Sequence, residues 1–175
     1  MNTLTQIHRV EGINIHGRTI YRMAVRAVIL RGQDLLMIHS STVGDYKFPG
    51  GGVEAGESHE QALRREVREE CGSHLVEFGK HIGSIIEYNH AKESEYAVFK
   101  MTSHYYLCQA GDDFGVQKLD EYEKDLGFKP VWINIDNAIS ENRSLLNSDK
   151  SPDWLKREVF MLEYIKNKLG VFHFS

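Results

Sequence analysis

The chain has 175 residues, 41% of them apolar and 26% charged, and a formal net charge of −4. That length suits one globular domain with its own core, and the apolar fraction excludes a disordered or low-complexity chain. The slightly acidic balance excludes a general surface for nucleic acid but leaves room for a local basic pocket, so no stable nucleic-acid partner is expected.

The N-terminal stretch Met1 to Gly12 carries no apolar run and no small-residue cleavage pattern, and the two cysteines are Cys71 and Cys108. Together these predict a cytoplasmic protein with reduced thiols. The most apolar stretch, Met23 to Leu30, contains Arg26. It falls well short of the roughly 20 residues that cross a bilayer, so no membrane association is expected. The chain shows no internal repeat or linker, and Pro49, Pro130 and Pro152 stand where elements begin or end, which predicts a single domain over residues 1–175.

In chain order, Ile13 to Arg22 reads as a short β-hairpin turning at His16-Gly17, part of an N-terminal extension over about residues 10–22, before a strand from Met23 to Leu30. A second hairpin turns over Arg31 to Asp34 and returns along Leu35 to Ser40. A loop through Gly44 and Asp45 leads to Lys47-Phe48-Pro49 and three successive glycines. Ser58 to Cys71 is the clearest helix: Ser58 caps it, Gln61 completes a capping box, and Gly72 stops it. Strands follow at His81 to Tyr88, Tyr96 to Cys108 and Val131 to Ile135. The tail from Ser151 to Leu169 reads as an amphipathic helix with Ser151 as N-cap, Pro152 first and Gly170 past the end. Its apolar residues and the ending Val171-Phe172-His173-Phe174 would dock on the sheet or against a second subunit, making a homodimer one expectation. The order of elements predicts a mixed α/β (α+β) fold with a mixed sheet between helices.

On a wheel of roughly 100° per residue, Leu63, Val67 and Cys71 form an apolar stripe, with Arg64, Arg65 and Arg68 running away from one of its edges. Glu66, Glu69 and Glu70 gather on the other edge, close to the buried side. Taken alone, three such glutamates are an ordinary solvated face. Clustered carboxylates repel, however, and a cation relieves them; their hard oxygens select Mg²⁺, or Mn²⁺ as a substitute. The loop before the helix, Phe48 to Glu57, holds Gly50, Gly51 and Gly52, which free the backbone for a tight turn or for close approach to a ligand.

Here the chain resembles the Nudix hydrolases, whose signature is Gly, five residues, Glu, seven residues, Arg-Glu, an aliphatic residue, any residue, Glu-Glu, any residue, Gly and an aliphatic residue. Gly51, Glu57, Arg65, Glu66, Val67, Glu69, Glu70 and Gly72 stand in register, and Ser73 departs from the last place. The resemblance implies an α/β/α sandwich and a metal-dependent hydrolase that cleaves the diphosphate linkage of a nucleoside diphosphate joined to a moiety X, whether a nucleoside triphosphate, a nucleotide sugar or a dinucleotide. It implies Glu66, Glu69 and Glu70 as metal-binding acids, the Gly51 carbonyl and Glu57 completing the site, and Arg65 orienting Glu57 and its neighbours. It also implies a remote carboxylate, for which Glu123 is chosen over Asp120 and Glu121. Glu69 or Glu70 would act as general base. Lys47 and Arg22 are candidates for phosphate contacts; Phe48, Tyr46, Tyr88 and Tyr96 are candidates for stacking, although aromatic residues more often serve a core. Two other readings stand beside this one. A catalytically silent ligand sensor on the same fold is the alternative, while an isoprenoid diphosphate isomerase would need a cysteine before the box, where none occurs.

Overall fold

The structure is a computed structural model and describes residues 2–149 and 151–171. Its elements run β1 (Thr3–His8), β2 (Thr19–Arg31), β3 (Asp34–Ser40), β4 (Tyr46–Lys47), α1 (His59–Cys71), β5 (Leu75–Asn89), β6 (Val98–Ala110), α2 (Glu121–Asp125), β7 (Phe128–Asn134), α3 (Ile135–Leu145) and α4 (Leu155–Lys166), followed by a 3₁₀ turn at Leu169–Val171. The seven strands lie in the order β1-β5-β6-β2-β3-β4, with β7 on the other side of β3. β1 runs parallel to β5 and β2 parallel to β6, while β5–β6, β2–β3, β3–β4 and β3–β7 are antiparallel.

The apolar runs in the central strands are continuous because both faces of the sheet are covered. In β2, Val25, Ala27 and Ile29 face α1, whereas Val28 faces α3 and α4. In β3, Leu36 and Ile38 join the first layer and Leu35 and Met37 the second. On the α1 side, Leu63, Val67 and Cys71 form the apolar stripe read from the wheel. On the other side Ile135, Ile139, Met161, Leu162 and Ile165 supply the helical contribution. The expected mixed sheet between helices is therefore present. No helix is long and apolar enough to cross a membrane among the described residues, and both cysteines are buried free thiols.

Two local expectations are corrected. A turn does form at Asn14 to Gly17, where the Gly17 amide donates to the Asn14 carbonyl at 3.2 Å, but no strand lies between β1 and this turn, and the residues from Thr19 belong to β2, so the expected hairpin is absent. The early segment instead forms β1, which pairs with β5, some eighty residues away. Ser151 does not cap the last helix: α4 begins at Leu155 after Trp154, which makes no side-chain cap bond. Residues 172–174 of the apolar ending lie outside the described residues. Two helices were not anticipated. α3 is capped by Asn134, and α2 by Asp120 with Glu123 closing a capping box.

The first turn of α1 docks on the sheet through imidazoles. His59 Nδ1 meets the Tyr106 hydroxyl at 2.7 Å, its ring lies 4.6 Å from that of His104, and Ser84 Oγ bridges His104 Nδ1 at 2.8 Å and His81 Nε2 at 3.2 Å. Burial, with His59 and His81 adding to it, pushes His104 down to about 4, and burial lowers His59 and His81 as well. These rings are neutral in the fold, whereas in the unfolded chain they take up protons near pH 6.5. Their contribution is complete above about pH 6.5 and is lost as the pH falls from there towards 4. Urea midpoints should therefore drop between pH 7 and pH 4.5, and His104→Asn should flatten the slope; an unchanged slope would refute the assignment.

Candidate active site

The site begins with two ends of α1. Ser58 Oγ accepts the Gln61 amide while the Gln61 side chain accepts the Ser58 amide, and Gly72 closes the helix at φ +66°. A Cβ there would lie 2.3 Å from the Gly115 carbonyl oxygen. With the helix fixed, its acidic edge turns inward as the wheel predicts, and Glu70 is only 1% exposed.

Glu70 ties the helix to the glycine loop. Its Oε2 accepts the Gly50 amide at 2.6 Å, and its Oε1 accepts from Lys47 Nζ at 2.6 Å. Lys47 also lies 4.3 Å above the Phe128 ring. The loop runs along β2: the Ala27 amide donates to the Pro49 carbonyl at 2.8 Å and the Val25 amide to the Gly51 carbonyl at 2.9 Å. Arg26 Nη1 donates to the Gly50 carbonyl. Gly50 has φ +132°, and a Cβ on it would stand 2.1 Å from the Val25 carbonyl oxygen, so only glycine fits. A Cβ on Gly51 would instead meet the Glu66 carboxylate at 2.5 Å.

Arg65 organises the remaining box acids. Its Nε and Nη2 bind Glu57 at 2.8 and 3.0 Å, Nη1 binds Glu66 at 2.9 Å and Glu69 at 3.2 Å, and Nη2 also donates to the Gly52 carbonyl at 3.0 Å. The guanidinium holds the Glu57 carboxyl down to about 2. Arg65 thus bonds Glu57 and two of the three helix acids at once.

Beside the loop opens a cleft of about 740 Å³. Glu66, Glu70 and Glu123 line it with Arg22, Arg26 and Lys47; an aromatic side is formed by Tyr122, Phe128 and Trp154. Burial, followed by the Glu70 charge, raises Glu66 and pushes Glu123 up to about 7. Glu57, Arg65 and Glu69 stand outside this lining. Among the described residues no three His, Cys, Asp or Glu side chains already converge as a metal cage. The Gly51 carbonyl is engaged by Val25, and Glu123 accepts its own cap amide from Asp120 at 3.1 Å. The donor chemistry nevertheless fits a hard divalent cation. Glu66, Glu70 and Glu123 line the same cleft, and burial together with the Glu70 charge raises both Glu66 and Glu123, a disfavoured negative charge that a bound cation would relieve.

Of the expected substrate contacts, Arg22 and Lys47 reach the cleft and Phe48 does not. Phe48 is 0% exposed and packs edge-on against Tyr105 at 5.7 Å, because it follows Lys47 at the end of β4 and points to the opposite side, into the core. Tyr46 stacks on His39, and Tyr88 is buried beside His8. Sequence reasoning missed Tyr122, which is 53% exposed, and Trp154, whose Nε1 donates to the buried Asp45 at 2.7 Å. No spacing in the sequence relates those two rings, which meet edge-on at 6.3 Å. Arg26 carried a legible signal, a charge inside an apolar strand.

The two loop glycines predict contrasting costs. Gly50→Ala should lose about 2 kcal/mol or more of stability, since it combines a forbidden φ with a backbone clash. Gly51→Ala should lose less than about 1 kcal/mol, since it displaces the end of a flexible glutamate. Urea unfolding checks both, and equal losses would contradict this loop geometry.

A NUDIX domain family model matches residues 20–155. Over 33 residues, 19% of this chain, it is 61% identical to nucleoside triphosphatase NudI of Salmonella schwarzengrund and 58% identical to that of Salmonella newport. Those stretches span 23% of the relatives' own length. The fold is similar to the solution structure of the E. coli ORF135 protein, with 20% identity, TM-score 0.59, and coverage of 90% of this chain and 96% of that one. It is likewise similar to a NUDIX hydrolase from Nitrosomonas europaea, with 20% identity, TM-score 0.58, and coverage of 89% and 98%. With the glycine loop, the acidic edge of α1 and the arginine that orders it all lying inside the matched stretch, the chain belongs to the Nudix hydrolase family.

Proposed function

We propose that this protein is a divalent-metal-dependent pyrophosphohydrolase that cleaves the diphosphate linkage of a nucleoside diphosphate joined to a moiety X. The observation that carries the reading is the meeting of opposite charges at one glycine loop: Glu66 and Glu70 on one side, Arg22, Arg26 and Lys47 on the other, all lining a single cleft. Diphosphate cleavage loads negative charge onto non-bridging and leaving oxygens, and cationic side chains fixed beside a closely approachable backbone answer that demand.

In this reading Glu66, Glu70 and Glu123, which line the cleft, would hold Mg²⁺, or Mn²⁺ in its place, with Glu69 beside them on α1 as a further ligand. When bound, the cation supplies charge neutralisation at the phosphoryl oxygens and Lewis-acid activation of water. The residues of the chain do the rest. Arg22 and Lys47 bind phosphoryl oxygens, Arg26 holds the Gly50 carbonyl in place, and Arg65 keeps Glu57, Glu66 and Glu69 in register. Glu69 or Glu70 takes the proton of the attacking water. Tyr122 and Trp154 offer aromatic surface for a nucleobase, with Trp154 held by Asp45. The local likeness to proteins named nucleoside triphosphatases puts nucleoside triphosphates first among substrates to try. Two buried thiols agree with a reducing, cytoplasmic setting.

Product release from nucleoside triphosphates, nucleotide sugars and dinucleoside polyphosphates, measured with Mg²⁺, Mn²⁺ or excess chelator, tests the proposal. Turnover should require metal and should fall on the order of 100-fold in Glu70→Gln, which keeps an acceptor for the Gly50 amide. Undiminished turnover in that variant would defeat the reading. Tight binding of one compound with no turnover anywhere would support a ligand sensor instead. Tyr122→Ala should raise KM on a nucleotide substrate about tenfold with little change in kcat, given the ~1–3 kcal/mol of base–aromatic stacking; an unchanged KM would remove Tyr122 from the base side.

A further inference from the structure

The Phe48 amide enters the glycine loop from the side that β2 does not serve. β2 pairs with the Pro49 and Gly51 carbonyls, and a buried amide without an acceptor is costly. Its acceptor is Glu158 Oε2 on α4 at 3.0 Å, a carboxylate 0% exposed. Glu158 Oε1 in turn accepts Arg157 Nε and Nη2 at 3.0 and 2.6 Å. Arg157 Nη1 donates to Glu87 Oε2 at 2.7 Å, and Glu87 Oε1 accepts Arg9 Nη2 at 2.7 Å. Two acids and two arginines alternate along this chain, so its charges balance within the protein.

We propose that Glu158 is a positioning residue for the Nudix reaction: through the Phe48 amide it sets the height of the glycine loop on which Glu70 and Glu66 act. The proposal rests on the pyrophosphohydrolase reading. The anchor works from outside the family-matched stretch, since Arg9, Arg157 and Glu158 lie beyond residues 20–155. Besides its pairing with β2, the start of the loop is held by three charged side chains. Glu158 takes the Phe48 amide, Glu70 takes the Gly50 amide, and Arg26 donates to the Gly50 carbonyl. Freeing the first of these lets Gly50 shift relative to Glu70, and displacements of an ångström at a reacting centre cost rate rather than affinity.

Two double variants isolate the contact. Arg157→Gln/Glu158→Gln and Arg157→Leu/Glu158→Leu both remove the ion pair without stranding a buried charge, but only the first keeps an acceptor for the Phe48 amide. The Gln pair should retain hydrogen-exchange protection at Phe48 and a kcat within about threefold of the native chain. In the Leu pair, exchange at Phe48 should be about tenfold faster or more. Its kcat should fall about tenfold or more while KM stays within about threefold. Glu158→Asp is the second probe should the Leu pair fail to fold: it keeps the charge beside Arg157 but shortens the reach to Phe48, and it should show the same split. Equal Phe48 protection in all variants, or lost protection with unchanged kcat, would overturn the proposal. A native chain inert on every substrate would defeat the hydrolase reading and with it the catalytic part of the proposal, while the exchange measurements would still decide whether Glu158 anchors the loop.

Discussion

The site depends on one constraint: the backbone from Phe48 to Val53 is buried or half-buried between a strand edge and two helices, and its polar groups must all find partners. β2 answers part of the demand with the amides of Val25 and Ala27 and the carbonyl of Met23, which accepts from Val53 at 3.0 Å. Further groups are met by charged side chains from three different elements: Glu70 and Arg65 on α1, Arg26 on β2 and Glu158 on α4. Charged partners make stronger bonds than neutral ones, so the loop is stiff although it contains three glycines. Glycine is required there for close approach, and the charge-assisted hydrogen bonds to the loop backbone oppose the freedom that glycine would otherwise bring.

That solution also explains the electrostatics of the cleft. Glu70 serves the loop amide with one oxygen and Lys47 with the other. Burial and the Glu70 charge together push Glu66 and Glu123 towards the protonated form. A wall of this kind favours any arriving positive charge. On the far side, Arg157 and Arg9 are matched by Glu87 and Glu158, whereas among the described residues Arg22 has no carboxylate partner.

The acidic edge of α1 was legible because a helix has a fixed period: Leu63 and Val67 define an inward direction, and Glu70 must then lie close to it. The caps at Ser58 and Gly72 were legible for the same local reason. The Arg65 bonds to Glu57, Glu66 and Glu69 match the role that the family resemblance implies. Readings that relied on an isolated residue fared worse. Phe48 looks available beside Lys47 in sequence, but strand alternation sends the two side chains to opposite sides. Glu123 reaches the cleft wall as expected, yet it also closes a capping box that Asp120 and Glu123 announce together. The N-terminal hairpin failed because a local turn signal at Gly17 is real but weak evidence for strands, and the parallel partner of β1 is far along the chain.

What the sequence determined by itself was whatever short-range geometry dictates: α1 with its caps and its inward acids, the β2–β3 hairpin, the glycine loop and the family signature. What only the tertiary structure decided was which distant groups close on that loop. Glu158 and Arg157 come from α4, Glu87 from β5 and Arg9 from the loop after β1, with no shared period, and Tyr122 and Trp154 meet across 32 positions of chain. Periodicity carries information over a few turns of a helix or a few residues of a strand. Beyond that range, pairing is set by the packing of both sheet faces and by the need to neutralise buried charge, neither of which any local stretch of residues encodes alone.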